Sequence, residues 1–162
     1  MFLKSNLLLK KINFNKKNFY YYFNIIYKFR NDKDYLKRNN IKKVIKEKSF
    51  EWLKKNNNHR IFFLIKYNNQ TAGIFNFNKL KPTFSQVILR KFRDKKIGKQ
   101  SAILLLKELR KIGFNNLVTF ASKNNPASFK IHKSISIKHS LHEPKNKIYK
   151  FYINTQKKFI NS

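Results

Sequence analysis

The sequence predicts an α/β domain built on a mixed, mostly antiparallel central sheet of about seven strands, flanked by about four helices. Runs rich in β-branched and aromatic residues alternate with amphipathic helical segments along the chain. A length of 162 residues is enough for one domain with a sizeable core and too short for two ordinary ones. Only three glycines and three prolines occur, and no linker-like stretch is visible. We therefore expect a single domain over residues 1–162, with a core of roughly 5–154.

The first half of the chain predicts four strands and two helices. Asn68 and Asn69 separate two β-rich runs and indicate a short hairpin turn, and Pro82 precedes a further strand. The predicted elements are a strand at Ser5–Ile12, helices at Lys17–Phe29 and Lys42–Lys55, and strands at Arg60–Tyr67, Thr71–Asn78 and Phe84–Arg90.

The second half contains the clearest helix of the sequence, Gly98–Ile112. Its apolar residues recur at helical spacing, and Gly113 follows where a left-handed C-terminal cap is favoured. Asn125 is suited to an N-cap and Pro126 to the first position of a short helix that runs to about Ser134. The remaining predicted elements are strands at Asn116–Ala121, near Ser136–Ser140 and at Ile148–Asn154.

The charge of the chain leaves two interpretations open. A formal net charge of +31 attracts polyanions, so nucleic acid is a possible partner. However, only six of the 38 basic residues are arginines, and the abundant Lys, Asn, Ile, Phe and Tyr are residues that AT-rich codons supply. The charge can therefore also reflect compositional drift.

The absence of cysteine excludes disulfides, thiolate metal sites and cysteine nucleophiles, and it fits an intracellular, cytoplasmic protein. No apolar run approaches the roughly 18 residues of a membrane span. The basic start of the chain lacks the features of a secretory signal, and an organelle transit peptide stays open. His139 and His142 have only Glu143 nearby as a further ligand, so we expect no metal site.

A crowded basic loop precedes the long helix. Positive side chains oppose the helix dipole at this end, unless an anion binds to the free N–H groups of the first turn. Gly98 would let the backbone approach such a ligand closely. The basic residues of the loop are Arg90, Lys91, Arg93, Lys95, Lys96 and Lys99.

Four segments of the chain follow known sequence patterns. The run RDKKIGK from Arg93 to Lys99 resembles the [QR]-x-x-G-x-[GA] loop that holds the acetyl-CoA pyrophosphate in the GNAT superfamily of N-acetyltransferases. NNPASFKIHKSISI is similar to the N-x-x-S-x-x-x-Y-x-x-x-G-F segment. YKFRNDKDYLK and EKSFEWLKK resemble the W-R-N-D and E-E-H-x-x-W patterns of a branch that includes enzymes acting on nucleotide-linked amino sugars.

The resemblance implies the fold, the cofactor and candidate site residues. Acetyl-CoA would lie along Ser85–Leu89, with a backbone N–H near Ile88 or Leu89 polarising the thioester carbonyl. His132 would be the general acid. The general base is not evident: Glu47, Glu51 and Asp32 are the candidate carboxylates, and a water chain or an amine that is already partly deprotonated could serve instead. Further cofactor contacts would be Arg93, Asp94, Lys95, Lys96, Ile97, Gly98, Lys99, Asn125 and Ser128, and acceptor contacts Arg30, Asn31 and Trp52.

The chain departs from the family pattern at several of these positions. Lys96 replaces the first glycine of the loop, His132 replaces a tyrosine, and Phe29 and Ser49 replace a tryptophan and a histidine. The predicted function is acetyl transfer from acetyl-CoA to a small primary amine, with a nucleotide-linked amino sugar as acceptor and no metal. The alternatives are a protein N-terminal or ribosomal-protein acetyltransferase, a basic nucleic-acid-binding protein and a catalytically degenerate relative. The chain is expected to be a monomer or a dimer.

Overall fold

The computed structural model describes residues 6–157. These residues form a seven-stranded sheet with helices on both faces. In chain order the elements are β1 (Leu7–Lys11), α1 (Phe19–Arg30), α2 (Lys33–Asn39), α3 (Lys46–Asn56), β2 (Arg60–Tyr67), β3 (Gln70–Asn78), β4 (Thr83–Ile88), α4 (Ile97–Lys111), β5 (Asn116–Ser122), α5 (Pro126–Ile135), β6 (Lys138–Glu143) and β7 (Ile148–Asn154).

The strand order in the sheet is β1-β2-β3-β4-β5-β7-β6. Every neighbouring pair is antiparallel except β4 and β5, which run parallel because α4 carries the chain from one to the other. The predicted α/β class and mostly antiparallel seven-stranded sheet are confirmed.

The two faces of the sheet carry separate apolar clusters. Phe23 and Phe29 of α1 and Leu53 of α3 pack on one face, against side chains that include Phe62. On the other face α4 buries Leu105 and Leu106 among the residues of a larger cluster. The alternation of side chains along each strand supplies both clusters from one sheet, which is therefore covered on both sides.

The prediction of about four helices is corrected to five α-helices in the described part of the chain. The missed helix is α2, which begins where the Asp32 side chain accepts a hydrogen bond of 2.9 Å from the Tyr35 N–H. It ends at Asn39, and the C-cap residue Asn40 has a left-handed φ of 50°. The predicted β4 is also too long, because a 3₁₀ turn begins at Arg90.

Candidate functional site: a gap beside β4 and a cationic cavity

Strands β4 and β5 are paired only where they begin. Thr83 is in register with Val118, whose N–H donates to the Pro82 carbonyl at 2.8 Å. One residue further on, the Thr119 hydroxyl rather than a main-chain group donates to the Phe84 carbonyl, at 3.0 Å. Beyond this point β4 continues to pair with β3, and β5 with β7. The two strands therefore diverge and leave a gap between their carboxyl-terminal halves.

Main-chain polar groups of β4 face this gap. The Leu89 N–H donates to the Ala72 carbonyl at 2.9 Å, so it points towards β3. Because main-chain groups alternate along a strand, those of Gln86 and Ile88 point to the β5 side. The Ile88 carbonyl accepts a 3.1 Å hydrogen bond from Arg93 Nε, which leaves the Ile88 N–H as a donor facing the gap. Two N–H groups were predicted to polarise a thioester, those of Ile88 and Leu89. The Leu89 N–H is hydrogen-bonded within the sheet, so only that of Ile88 faces the gap.

Helix α4 begins at the open end of the gap. Its N-cap Lys96 has a φ of 58°, and Asp94 has a φ of 61°, so the loop turns through two left-handed residues. The Gln86 side chain donates to the Gly98 carbonyl at 3.0 Å and to the Ser101 hydroxyl at 2.8 Å. These bonds tie the first turn of α4 to the strand that borders the gap.

The side chains of the predicted pyrophosphate loop differ in how far they are exposed. Asp94, Lys95 and Lys96 are exposed, whereas the Ile97 side chain is buried in the core. The ammonium group of Lys95 lies about 6 Å from the ring centroids of two aromatic residues, Tyr67 and Phe92. Lys99 is partly buried.

Arg93 is turned away from the loop surface. Besides its bond to Ile88, its guanidinium pairs with Asp34 of α2, which also pairs with Arg38 at 3.3 Å. Arg93 therefore braces the end of β4 against α2. Its predicted contact with the cofactor stays a prediction, and its side chain is already engaged.

Gly98 has a packing role that the sequence did not indicate. A Cβ at this position would lie 2.7 Å from Cδ1 of Ile131, so the glycine lets α4 and α5 approach closely. Asn125 caps α5 by accepting a 3.4 Å hydrogen bond from the Ser128 N–H. Both residues are partly buried, and their predicted contact with the cofactor stays a prediction.

His132, on α5, is buried in the protein core. Its side chain lies 5.7 Å from the rings of both Phe84 and Phe151, and the residue is 4% exposed. Its Nδ1 has no hydrogen-bond partner in the described part of the chain. Burial lowers the pKa of His132 from 6.5 to about 4, so the imidazole is neutral at pH 7. This environment does not favour the predicted role of general acid, which stays a prediction.

A cavity of about 240 Å³ lies on the face of the sheet that α1 and α3 cover. Ser85 and Val87 of β4 contribute to its wall, so the cavity and the gap share one strand. The other lining residues are Ile26, Arg30, Tyr35, Trp52, Arg60, Phe62, Ile74 and Asn76.

Two arginines and one tryptophan dominate this cavity. The guanidinium carbons of Arg30 and Arg60 lie 4.5 and 4.8 Å from the centroid of the Trp52 ring. Arg60 also donates to the Asn76 side chain at 3.2 Å. Burial lowers the pKa of both guanidinium groups, and the proximity of Arg30 lowers that of Arg60 further. Burial raises the pKa of Tyr35, against the opposing effect of Arg30.

Three residues predicted to contact or activate the acceptor, Asn31, Glu47 and Glu51, lie outside the lining of this cavity. Asn31 uses its side chain locally, donating to the Tyr27 carbonyl at 3.1 Å and accepting from the Val44 N–H at 2.8 Å. Glu47 and Glu51 are exposed on α3. Their assignment as acceptor contact and as general base stays a prediction that the cavity does not support.

Four residues at or beside the site were not predicted from the sequence: Arg60, Tyr35, Asn76 and Gln86. Arg60 carried a signal, since it is the only charged residue before five consecutive apolar residues of a buried strand. The other three became visible only from the way β3, β4 and α2 are placed.

Another cavity, of about 500 Å³, lies at the paired end of β4 and β5. Its wall includes Thr83, Val118 and the lysines Lys81, Lys138 and Lys150. It is therefore at the beginning of these strands, away from the open end of the gap and from α4.

Residues 6–157 contain no cluster of three or more residues suited to hold a metal ion. His139 and His142 are exposed, and each contacts aromatic rings. None of the helices in this range is long and apolar enough to cross a membrane.

The fold is shared with solved structures of N-acetyltransferases at low sequence identity. Searches of protein-family models and of curated proteins gave no significant match. Among solved structures, a domain from Methanocaldococcus jannaschii matches with a TM-score of 0.74 at 20% identity, covering 93% of this chain and 99% of the other. Spermidine N-acetyltransferase from Vibrio cholerae, in complex with CoA and spermine, matches with a TM-score of 0.71 at 11% identity, covering 91% and 95%. An N-acetyltransferase from Staphylococcus aureus matches with a TM-score of 0.66 at 18% identity, covering 94% and 100%.

Proposed function

We propose that this chain is an acetyl-CoA-dependent N-acetyltransferase acting on a primary amine. The observation that carries the proposal is the gap between β4 and β5, which opens at the beginning of α4. The gap presents main-chain donors and acceptors along one side, and the first-turn N–H groups of α4 at its end. The shared fold with acetyltransferases, one of them bound to CoA, supports this assignment.

The residues around the gap fit a long ligand that ends in phosphates. Main-chain groups of Gln86 and Ile88 would pair with the amides of the pantetheine arm, as a neighbouring strand would. The N–H groups of Ile97 and Gly98 would meet the pyrophosphate, and the exposed ammonium group of Lys96 would add attraction. Asn125 and Ser128 stay proposed contacts at the beginning of α5.

Acetyl-CoA supplies the acetyl group as a thioester. The amine nitrogen would attack the carbonyl carbon and the C–S bond would break. The departing thiolate would take up a proton from water, which balances the proton that the amine gives up. The Ile88 N–H would stabilise the oxygen that becomes negative during this step. No carboxylate lines the cavity beside β4 in the described part of the chain, so we propose that the amine loses its proton to water.

For the acceptor, we propose a nucleotide-linked amino sugar as the first candidate. The support is the resemblance of the segments around Arg30 and Trp52 to that branch of the family, together with the place of both residues in the cavity. A protein N-terminus is the alternative acceptor.

Calorimetric titration with acetyl-CoA tests the cofactor assignment. We expect saturable binding that is weakened several-fold by Lys96→Glu, because the new carboxylate repels the phosphates. Lys107→Glu is the matched control, since Lys107 is exposed further along α4 and should bind normally. A bulky residue at Gly98 is unsuitable here, because it would disturb the packing against Ile131.

Binding weaker than millimolar, or equal loss in the two charge variants, would contradict the assignment. Acetyl transfer is then measured with a panel of amines that includes amino sugars, polyamines and peptides. Cofactor binding without turnover on any of them would instead indicate a catalytically degenerate member that serves as a binding module.

A further inference from the structure

The cavity beside β4 concentrates positive charge that its lining does not balance. Arg30 and Arg60 both lie against Trp52, so two guanidinium groups share one small space. Their contacts with the indole ring are favourable, but the ring carries no net negative charge. Nη1 of Arg30 is buried and has no hydrogen-bond partner within residues 6–157. A buried, unpaired donor of this kind is costly unless something else binds it.

None of the seven acidic residues, all of which lie within residues 6–157, contributes to the lining. Asp34 is taken by Arg38 and Arg93, and Glu108 pairs with Lys111. Asp32 caps α2, and Glu143 accepts from the Asn146 side chain. The remaining acids, Glu47, Glu51 and Asp94, are exposed outside the cavity. No acidic side chain within residues 6–157 is therefore placed to balance the two arginines, and an anion bound in the cavity would do so.

We infer that this cavity binds an anionic group, a carboxylate or a phosphate, carried by the acceptor amine itself. The inference rests on the proposed function for the identity of that molecule as an acceptor. Guanidinium groups suit such anions because their planar forks match two oxygens at once. Ser85 and Val87 place the same cavity against β4, so an anion held at Arg30 and Arg60 would leave the amine near the Ile88 N–H.

The dimensions and charge of the cavity narrow the class of acceptor. A volume of about 240 Å³ suits an amino acid or a sugar phosphate, and is below the roughly 300–1,000 Å³ of pockets for larger ligands. The nucleotide of a linked amino sugar would extend outside it. A polyamine such as the spermine bound by the Vibrio cholerae structure is positive at every amine, and two arginines would repel it.

Trp52 makes the inference directly testable, because it is the only tryptophan in the chain and lies in this cavity. The full chain is titrated at constant ionic strength while the tryptophan emission is recorded. The probes are matched pairs that differ in one anion: glucosamine 6-phosphate against glucosamine, and ornithine against putrescine. We expect a saturable change with an anionic member and none with its partner. The pair that responds tells whether phosphate or carboxylate is preferred.

Arg60→Gln should weaken binding of the anionic probe at least tenfold, and Arg60→Lys should retain part of it. Arg110→Gln is the matched control, because it removes the same charge from an exposed site at the end of α4. If Arg60→Gln lowers the melting temperature strongly, Arg30→Gln replaces it. Equal responses to both members of each pair, or equal losses in Arg60→Gln and Arg110→Gln, would overturn the inference.

Turnover separates this inference from the proposed function. With acetyl-CoA present, kcat/KM should be at least tenfold higher for an anionic acceptor than for its partner. Acetylation of putrescine or glucosamine at an equal rate would overturn the anion site and leave the acetyltransferase assignment intact. If the chain binds anions in a way that depends on Arg60, but neither binds acetyl-CoA nor transfers acetyl, the anion site stands and the acetyltransferase assignment falls.

Discussion

At the scale of single residues, His132 is a candidate general acid whose surroundings do not favour that role. The resemblance noted in the sequence implies a tyrosine at this position, and the structure places the histidine on α5. It is the only buried histidine within residues 6–157, with aromatic rings around it. An aromatic shell offers no charge or hydrogen bond to an imidazolium, so the neutral form is favoured.

The buried His132 should make folding stability depend on pH. Its pKa is about 4 in the folded chain and 6.5 when unfolded, so only the unfolded chain gains a proton between these values. The contribution is complete above about pH 7 and is lost as the pH falls from 6.5 towards 4, by at most about 3 kcal/mol. We expect His132→Phe to lose less stability than the native chain between pH 7 and 4.5, measured by urea unfolding.

His59→Gln is the control for this measurement, because it replaces an exposed histidine and removes no buried group. The high net charge also lowers the stability of all three proteins at acid pH, and this common effect cancels in the comparison. A pH dependence that is the same in His132→Phe and in the native chain would contradict the burial of a neutral imidazole.

Individual site residues were easier to predict from the sequence than the residues that surround them in space. Arg30 and Trp52 were identified through a motif, and the structure places both in one cavity. Arg60 and Tyr35, which complete it, come from β2 and α2, and their proximity depends on long-range packing that local patterns do not encode. Asn31 looked equivalent to Arg30 in the motif, yet its neighbours on the chain take up its amide.

At the scale of secondary-structure elements, periodicity predicted the long helices and strands within a few residues of their ends. Strands β2 and β7 were predicted with the bounds observed, because β-branched and aromatic runs define them. Helix α2 was missed since it has only seven residues, too few for a repeated apolar stripe. Its N-cap Asp32 indicated the beginning of a helix, but the motif led to Asp32 being interpreted as a site candidate instead.

The beginning of α4 carries a strained residue that can be tested by substitution. Lys96 has a φ of 58°, where a Cβ costs about 1–2 kcal/mol. Glycine removes this strain but gains about 0.4–1 kcal/mol of freedom when unfolded. We therefore expect Lys96→Gly to be more stable than Lys96→Ala by up to about 1.5 kcal/mol. Urea unfolding of both variants measures the difference, and each lacks the lysine charge, so the pair isolates the backbone. An alanine variant at least as stable as the glycine variant would contradict a left-handed Lys96.

At the scale of the whole molecule, the two candidate binding regions lie at different places on the sheet. The gap between β4 and β5 opens beside α4, whereas the arginine cavity lies under α1 and α3. Strand β4 alone borders both, because its main chain faces the gap and the side chains of Ser85 and Val87 face the cavity. Under the proposed function, this strand would hold acetyl-CoA and the acceptor amine on either side of the reacting carbonyl, and so favour their reaction by proximity.

The net charge of +31 is a property of the whole surface, and salt should reveal whether it has a dedicated partner. We expect a fluorescently labelled RNA to bind at low ionic strength, and binding to be lost by about 150 mM salt because scattered surface charges are screened. Two RNAs of unrelated sequence should behave alike in anisotropy titrations. Binding of acetyl-CoA should persist at the same salt concentration, since main-chain donors of β4 and α4 contribute to it. Tight, sequence-dependent RNA binding above 150 mM would contradict this expectation, and would make nucleic acid a functional partner rather than a consequence of lysine-rich composition.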